Sequence, residues 1–343
     1  MKDKIIFFSI DRLGDYLIRS NVIKKISENY KNSEIVVSDI NYKLINSQKF
    51  FSKIILFNKK NKFKNKINFI INFFCKKYDS AICFDGKNIS NIIFFIVKAK
   101  FKHTFIYKKK GFLNKIKFLL FIIILNLFKI SFTILHSRDL IENGYMENYP
   151  SKYKSLKKYY NNINEETYYL QDFKKENILN LSNYILIHLD EKFCDIKDVE
   201  ISLNNAFLNL SKNINKKIII TAFNNNFQYY KNLSIEKINF NNLQNDINKD
   251  KKIIIIENIP LNEFYDLINN SLINISCHAG FFVHISLYNK MRTIDIINEY
   301  DEKWLNTWIT NKDQYKIIHK SNKQEKYNID QIFKKLIIQV NEI

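Results

Sequence analysis

The chain has 343 residues, with 46% hydrophobic and 26% charged residues and a formal net charge of +20. This length is long for one compact domain and sufficient for two, and the hydrophobic content is that of a globular protein. Four cysteines, at positions 75, 83, 194 and 277, form no CxxC pair, which argues against a disulfide framework or a zinc knuckle and fits a reducing cytosol. The N-terminal apolar run is too short for a signal peptide and is followed at once by Asp11.

The positive charge is concentrated in the first half of the chain. Residues 1–150 hold 28 Lys and Arg against 11 Asp and Glu, whereas residues 151–343 hold 26 against 23. A basic half of this kind predicts an anionic partner, which can be phospholipid, a phosphorylated glycolipid or nucleic acid. A well-solvated lysine surface without a partner is the alternative.

The first half alternates short apolar runs with helical patterns. Strands are predicted over Lys4–Ile10, Ile35–Ser38, Ile54–Phe57, Ser80–Phe84 and His103–Tyr107. Helices are predicted over Tyr16–Asn29, from Asn41, over residues 58–78 and over Asn91–Val97. This alternation predicts an α/β class with a parallel sheet covered on both faces.

Residues 108–135 combine lysines with an apolar run, Phe118–Leu125, that is interrupted by Asn126 and closed by Lys129. The run is shorter than the roughly 20 residues of a membrane-spanning helix. It can be a buried core helix or an interfacial segment whose apolar side enters a bilayer. The close packing of basic and apolar residues favours peripheral attachment to anionic lipid. The lysines expected to face the headgroups are Lys108, Lys109, Lys110, Lys115 and Lys117.

A polar stretch, residues 136–182, is expected to join this half to a second α/β domain. Strands are predicted there over Tyr184–Leu189, Lys217–Ala222, Ile253–Glu257, Leu272–Ile275 and Thr293–Ile297. Helices are predicted over Ile201–Ser211, Phe227–Asn232, Leu261–Asn270, Phe281–Tyr288 and, at the end, Asn328–Asn341.

Two strand-to-helix turns carry residues that can bind a ligand or take part in catalysis. In the second half, Gly280 follows a buried strand, and a helix begins beside it, which predicts an anion site for a group such as a diphosphate. His278 and His284 flank this glycine and can donate hydrogen bonds to phosphate oxygens, or be structural. A metal site needs a third ligand, and Cys277 at this spacing fits no zinc pattern, so no metal is expected.

The other turn follows the first strand, where Gly14 and Asp15 place a carboxylate at the carboxyl edge of the first sheet. Asp15 can also simply charge or cap the following helix.

These motifs resemble those of glycosyltransferase family 9, the lipopolysaccharide heptosyltransferase-like enzymes of GT-B fold. That family has a buried strand, an Asp-Ser-Gly-x-x-His turn, an apolar helix and a strand, and a Gly-Asp pair after its first strand. Gly280 and His284 match the turn, while His278 and Ala279 stand where the family has Asp and Ser or Thr, and the Gly-to-His spacing is one residue longer.

The resemblance implies two Rossmann-like, doubly wound domains facing each other across a cleft. Residues 1–165 would form an acceptor-binding domain and residues 175–327 a nucleotide-sugar-binding domain. The helix over residues 328–343 would pack back on the first domain.

The resemblance also implies roles for particular residues. Asp15 would be the general base, and Arg12 and Gly14 would contact the acceptor. Lys192 would neutralise the donor diphosphate, although an ordinary surface lysine is equally compatible with its position. The remaining donor-binding residues would be His278, Ala279, Gly280 and His284.

The implied function is inverting transfer of a sugar from a nucleotide-sugar to a lipid-linked or phosphorylated saccharide, in bacterial lipopolysaccharide or other surface-glycan synthesis. The enzyme would work without a cofactor or metal, in the cytoplasm, peripherally on the inner face of the cytoplasmic membrane. Three alternatives stay open: a non-hydrolysing sugar-nucleotide epimerase of similar fold, a non-catalytic GT-B protein, and a basic nucleic-acid-binding protein. No recognised nucleic-acid-binding module supports the last, so no nucleic-acid partner is expected.

Overall fold

A computed structural model describes residues 2–342, except residues 47, 59–62, 75, 86–87, 142–152, 154, 161–182, 223–226, 243–250, 310 and 323. The chain divides into two compact units, Met1–Asp172 and Phe173–Ile343. The domain junction predicted between residues 165 and 175 lies outside the described residues.

The first unit contains a six-stranded sheet in which every pairing is parallel. Its strands are β1 (Lys2–Ser9), β2 (Tyr30–Ser38), β3 (Lys53–Phe57), β4 (Lys77–Cys83), β5 (Lys98–Lys108) and β6 (Ser131–His136). Its helices are α1 (Leu13–Ser27), α2 (Asp39–Ile45), α3 (Phe63–Ile71), α4 (Asn88–Ile96), α5 (Phe112–Leu127) and α6 (Arg138–Ile141). The strand order is β3-β2-β1-β4-β5-β6, so β2 and β3 lie on one side of β1 and the later strands lie on the other. The topological switch point is therefore between β1 and β4.

The second unit contains a seven-stranded sheet that is also parallel throughout. Its strands are β7 (Tyr184–Leu189), β8 (Lys217–Ala222), β9 (Lys237–Asn239), β10 (Ile253–Glu257), β11 (Ile273–Ser276), β12 (Arg292–Asn298) and β13 (Tyr315–Ser321). Its helices are α7 (Val199–Asn213), α8 (Leu261–Asn270), α9 (Gly280–Tyr288), α10 (Glu302–Asn306) and α11 (Ile329–Asn341). The order β13-β12-β11-β7-β8-β10-β9 places the switch point between β7 and β11.

The central strands are buried apolar runs, as parallel strands covered on both faces require. All six residues of β7 are buried, and Ile5 to Phe8 of β1 are fully shielded from solvent. The α/β class predicted from the alternation of strands and helices is therefore confirmed in both units.

The terminal helix α11 packs within the second unit. Its residues Ile332, Phe333 and Leu336 are buried in that unit's core, where the ring of Phe333 lies 5.3 Å from that of Phe207 on α7. The apolar face of α11 is covered by α7, because both helices lie on the same side of the second sheet. The packing of this helix on the first domain, which the family resemblance implied, stays a prediction.

Candidate functional site

The switch point of the second sheet brings two loops together. β7 leads into Asp190 and a 3-10 turn, Glu191–Asp195, while β11 leads into Cys277 and His278. The two strands are paired in parallel, with Ser276 opposite His188, so both loops leave the same edge. Ligands of open α/β sheets bind at this edge, beside the point where the strand order reverses.

The turn after β11 is built around His278. Its backbone φ of 54° lies in the left-handed region, which is uncommon for a residue other than glycine. The carboxylate of Asp295, on β12, accepts hydrogen bonds from the His278 backbone N–H at 2.6 Å and from its Nδ1 at 2.8 Å. The Tyr315 hydroxyl donates to the same carboxylate at 2.9 Å. Asp295 therefore holds the turn in a conformation that the backbone alone disfavours.

Asp295 is fully buried and still ionised. Burial by itself raises the pKa of this carboxyl, but the nearby His278 and the hydrogen bonds it accepts outweigh burial and hold the pKa below its usual range. Burial, together with the same carboxylate, raises the pKa of the Tyr315 phenol far above its ordinary value. Tyr315 is therefore a fixed hydrogen-bond donor at neutral pH.

Two lysines tie the loops together. The Lys192 Nζ donates to the carbonyl oxygen of His278 at 2.8 Å, so it bridges the two loops. The buried Lys320 Nζ donates to the carbonyl oxygen of Lys192 at 2.8 Å and lies 3.3 Å from the Cys277 sulfur. Burial raises the pKa of the Cys277 thiol to about 12, which keeps it neutral, and the thiol donates to the Lys192 carbonyl oxygen at 3.2 Å.

A second carboxylate lies beside Lys192. Asp190 accepts a hydrogen bond from the backbone N–H of Lys192 at 2.9 Å. Burial raises the pKa of Asp190 to about 6, against the opposing effect of Lys192. Burial also lowers the pKa of Lys192, although Asp190 and Asp295 oppose the shift. Lys192 is thus a partly desolvated cation, which interacts more strongly with an anion than a lysine in water does.

The helix α9 begins at Gly280, directly after this turn. A Cβ atom added at Gly280 would meet no heavy atom within 4 Å, so the space beside its backbone is open. The first N–H groups of a helix have no acceptor within the helix and attract anions. The left-handed residue of this turn is His278, and Gly280 supplies open access to the helix N-terminus. Ala279 is half-buried between them.

His284 lies deeper in α9 and is buried. Burial lowers its pKa to about 3, so the imidazole is neutral at physiological pH, and its ring centroid lies 6.5 Å from that of Trp308. This environment is typical of a packed structural histidine. A neutral imidazole still has one N–H donor, so the donor-binding role of His284 stays a prediction.

The switch point of the first sheet holds two buried acids. Asp85, just after β4, accepts hydrogen bonds from the backbone N–H of Ile10 at 2.7 Å and from the Ser90 hydroxyl at 2.8 Å. Asp11, just after β1, forms an ion pair with Arg19 of α1, and both side chains are buried. Neither this buried charge pair nor the acid beside it was predicted from the sequence.

Asp15 is the third residue of α1 and is half-buried at the carboxyl edge of β1. Its carboxylate accepts the Arg12 backbone N–H at 3.4 Å, a long hydrogen bond, and its carbonyl oxygen accepts from the Arg19 Nε at 2.7 Å. Arg12 is exposed and Gly14 is half-buried. This geometry fits a helix-terminus role for Asp15 and also leaves its carboxylate partly accessible to a substrate hydroxyl.

The helix α5 is apolar on all sides but is packed on one side only. Its inner stripe, Phe118, Phe121, Ile122 and Leu125, contributes to the first unit's core. Its outer stripe is between 39% and 77% exposed and consists of Phe112, Leu113, Ile116, Leu119, Leu120, Ile123, Ile124, Leu127 and the following Phe128. No helix in the described part of the chain has the length and hydropathy needed to cross a bilayer. Core packing therefore explains the apolar residues on only one side of this helix.

Comparison with known proteins places the fold. No family model and no curated protein matches the chain, but solved structures match along nearly its whole length. E. coli heptosyltransferase WaaC with ADP covers 99% of this chain and 99% of its own, with a TM-score of 0.62 and 10% identity. A family 9 glycosyltransferase from Veillonella parvula covers 99% and 96%, with a TM-score of 0.62 and 9% identity. The chain has the GT-B fold.

The structure of a protein from Listeria monocytogenes, described as a putative UDP-N-acetylglucosamine 2-epimerase, is also similar. Its TM-score is 0.52 and its identity 10%, and the match covers 100% of this chain and 89% of the Listeria chain. At identities near 10% these likenesses show the fold alone. The resemblance to family 9 noted in the sequence is thereby confirmed for the architecture, and the roles of individual residues in this GT-B protein stay predictions.

The fold brings some of the predicted site residues close together and leaves others apart. Lys192, His278, Ala279 and Gly280 meet at one switch point, whereas His284 lies beneath it. The lysines Lys108, Lys109, Lys110, Lys115 and Lys117 surround the start of α5. Asp295 could have been noticed as the one charged residue within the apolar run Thr293–Ile297. Lys320 gave no such signal, because lysines are frequent throughout this chain.

Proposed function

We propose that the protein is a glycosyltransferase that transfers a sugar, with inversion, from a nucleotide-sugar to a saccharide acceptor. The observation that carries this proposal is the second switch point, where a partly desolvated lysine lies beside an open helix N-terminus. Both features favour a diphosphate. Structures of the same fold are described with ADP and with ADP-2-deoxy-2-fluoro heptose, and a further one, of S. aureus MnaA, with UDP.

In this proposal the second unit stabilises the leaving group. Negative charge grows on the nucleoside diphosphate as its bond to the sugar breaks. The Lys192 ammonium and the N–H groups at the start of α9 supply fixed positive charge for it. His278 positions both groups, since its carbonyl oxygen holds Lys192 and its backbone leads into Gly280. No metal ion takes part in the proposed reaction.

The first unit would supply the base. Asp15 takes the proton of the acceptor hydroxyl, the hydroxyl oxygen forms a bond to the anomeric carbon, and the electron pair of the broken bond leaves with the diphosphate. The exposed Arg12 guanidinium is available to an anionic acceptor beside Asp15. The buried Asp11–Arg19 pair fixes the start of α1 and thereby the position of this carboxylate.

We further propose a lipid-linked or phosphorylated glycan as the acceptor, and the inner face of the cytoplasmic membrane as the site of the reaction. Support comes from the basic first half and from the exposed outer stripe of α5. An amphipathic surface of lysines and large apolar side chains is typical of proteins that lie on a membrane.

The donor is tested by measuring the melting temperature with a panel of ADP-, UDP- and GDP-sugars. We expect one class to raise it, because a ligand bound only to the folded state stabilises that state. Lys192→Met should remove this shift. Lys197→Met, which removes an exposed lysine five positions later, should retain it. An equal ligand shift in both variants would exclude Lys192 from the donor site.

The reaction class is tested with the sugar-nucleotide that binds. Transfer requires an acceptor and releases the nucleoside diphosphate, so product should form only when a phosphorylated or lipid-linked saccharide is added. Conversion of the sugar-nucleotide without any acceptor would instead identify an epimerase. Binding of no sugar-nucleotide in the panel would contradict the proposal altogether.

A further inference from the structure

A pocket of about 580 Å³ opens on the first unit, at the edge where β4 and β5 begin. This edge is opposite the one that carries Asp11, Asp15 and Asp85. The pocket's apolar lining includes Phe95, Ile96 and Phe128. Its volume is in the range of small-molecule sites.

The charged residues that line this pocket are lysines. Lys77, Lys98, Lys100, Lys102 and Lys129 all contribute to it, and we call it the lysine pocket. Within the described residues, Lys100 pairs with Asp79, and no other ion pair involves a lysine of the pocket. The sequence explains this excess, because residues 86–138 contain no Asp or Glu. The pocket is therefore suited to an anion.

Two of these lysines occupy unfavourable positions. The half-buried Lys102 has a pKa lowered to about 8 by burial, and its ammonium donates to the Phe95 carbonyl oxygen at 2.9 Å. Lys129 adopts a left-handed backbone, with φ of 52°, at the end of α5, a position where helices favour glycine. The free energy of binding an anionic ligand would offset two costs, the burial of the Lys102 ammonium and the backbone strain at Lys129.

The lysine pocket is continuous with the outer stripe of α5. Phe128 belongs to both, and it is 68% exposed. Its ring contacts that of Phe95 at 6.1 Å, edge to face. An occupant of the pocket would therefore have an anionic group beside lysines and an apolar part beside α5, which is the chemistry of a phospholipid.

We propose that the lysine pocket binds the phosphate headgroup of an anionic phospholipid while the outer stripe of α5 lies in the acyl region of the same leaflet. This inference deepens the proposed membrane location and rests on it. It assigns a lipid-binding site at the edge of the first sheet opposite the proposed base.

The test measures binding to two kinds of vesicle. Mixed vesicles contain phosphatidylglycerol and phosphatidylcholine, and the others contain phosphatidylcholine alone. The variant Lys98→Gln/Lys129→Gly removes two charges from the pocket, and glycine suits the left-handed position, so the fold is retained. The matched control is Lys212→Gln/Lys290→Gly in the second unit, since Lys290 also follows a helix with a left-handed backbone, φ of 58°. We expect the pocket variant to bind mixed vesicles about 30-fold more weakly, and the control to bind within about threefold of wild type.

Equal losses in the two variants would overturn the proposal, because they would show that net charge alone drives binding. Binding of wild type to phosphatidylcholine vesicles as tightly as to mixed vesicles would overturn it too. Glycerol 3-phosphate, added at constant ionic strength, should not displace the protein, and displacement would indicate a site for a soluble phosphate. Sugar transfer is measured separately with a soluble acceptor and no vesicles, so failure of the proposed reaction and failure of the lipid site give different results.

Discussion

The carboxylate of Asp295 holds both the backbone N–H and the imidazole of His278, at 2.6 and 2.8 Å. Because Asp295 belongs to β12 and His278 follows β11, the shape of the turn depends on the pairing of two neighbouring strands. The loop that leads into α9 is therefore fixed by the sheet beneath it. Such a loop can hold its hydrogen-bond donors in place before any ligand arrives.

His278→Asn and His278→Val should differ in stability. Asparagine tolerates the left-handed backbone, whereas a β-branched residue at φ of 54° is strongly disfavoured. Both variants remove the imidazole, so they differ in backbone strain and in the hydrogen bond that asparagine can still donate to Asp295. We expect the valine variant to be less stable than the asparagine variant by about 1–3 kcal/mol in urea denaturation. Equal stabilities would show that the turn can relax without cost.

Gly280→Val should abolish donor binding while leaving the fold intact. A Cβ atom at this position meets no heavy atom within 4 Å in the unliganded protein, so we expect the melting temperature to stay near that of wild type. The valine side chain would occupy the position where a diphosphate approaches the helix N-terminus. Titration with the sugar-nucleotide checks this, and unchanged affinity would place the donor elsewhere.

Asp190 should give the folded protein a distinctive pH dependence. Its pKa is raised to about 6 in the folded state, against about 3.9 in an unfolded chain. The folded state therefore binds a proton between these values that the unfolded state does not. The stability that this provides is fully present below about pH 4 and is lost as the pH rises through about 6.

The measurement is urea denaturation at pH 5 and pH 7.5. Wild type should lose more stability over this interval than Asp190→Asn, which keeps the acceptor for the Lys192 N–H but cannot ionise. Asp195→Asn, at an exposed acid in the same loop, serves as the control and should follow wild type. Parallel profiles for wild type and Asp190→Asn would show that Asp190 ionises like a solvent-exposed acid.

Asp15→Asn should separate catalysis from helix capping. If Asp15 is the base, transfer should slow by about 10²–10⁴-fold while donor affinity and stability hardly change. Asp39→Asn, at the exposed acid in the first turn of α2, is a matched control that should leave transfer unchanged. Activity of Asp15→Asn within about threefold of wild type, where chemistry limits the rate, would assign the carboxylate to the helix terminus alone.

The outer stripe of α5 should drive binding to vesicles of any charge. Replacing Leu119, Leu120 and Leu127 with glutamine removes exposed apolar surface, so vesicle binding should fall while stability stays the same. Ile201→Gln on α7, at a residue that is 82% exposed, should have no effect on vesicle binding. Charge acts separately, and high salt should weaken binding to anionic vesicles only. The same weakening is expected when glutamine replaces Lys108, Lys109, Lys110, Lys115 and Lys117.

The alternation of strands and helices was readable from the sequence because buried parallel strands are short, continuous and β-branched. β6 was not predicted, because Ser131–His136 follows α5 with no Gly or Pro between them and merges with its apolar run. β13 was missed because lysine and histidine interrupt its apolar residues. Local pattern alone does not locate a strand whose hydrophobic residues are interrupted in this way.

Site residues that directly follow a strand could be predicted from the sequence. Contacts that depend on the register of neighbouring strands, or on the direction of a helix, could not. Lys192, His278 and Gly280 stand next to predicted strand ends, so the topology brings them together. The pairing of Asp295 with His278 depends on how β12 lies beside β11, and that of Asp11 with Arg19 depends on the direction of α1. The sequence of α5 is hydrophobic all round, which fits burial and membrane contact equally, and only the structure shows that one side is uncovered.

The hydrogen bond from Ile10 to Asp85 joins residues 75 positions apart, and it closes the centre of the first sheet. During translation, β1 therefore leaves the ribosome long before its neighbour β4 is synthesised. Parallel sheets assembled from such distant strands fold slowly, and their apolar strands stay exposed in the meantime. The nascent chain of this protein should accordingly depend on chaperones, or on early contact of α5 with a membrane, until the first unit is complete.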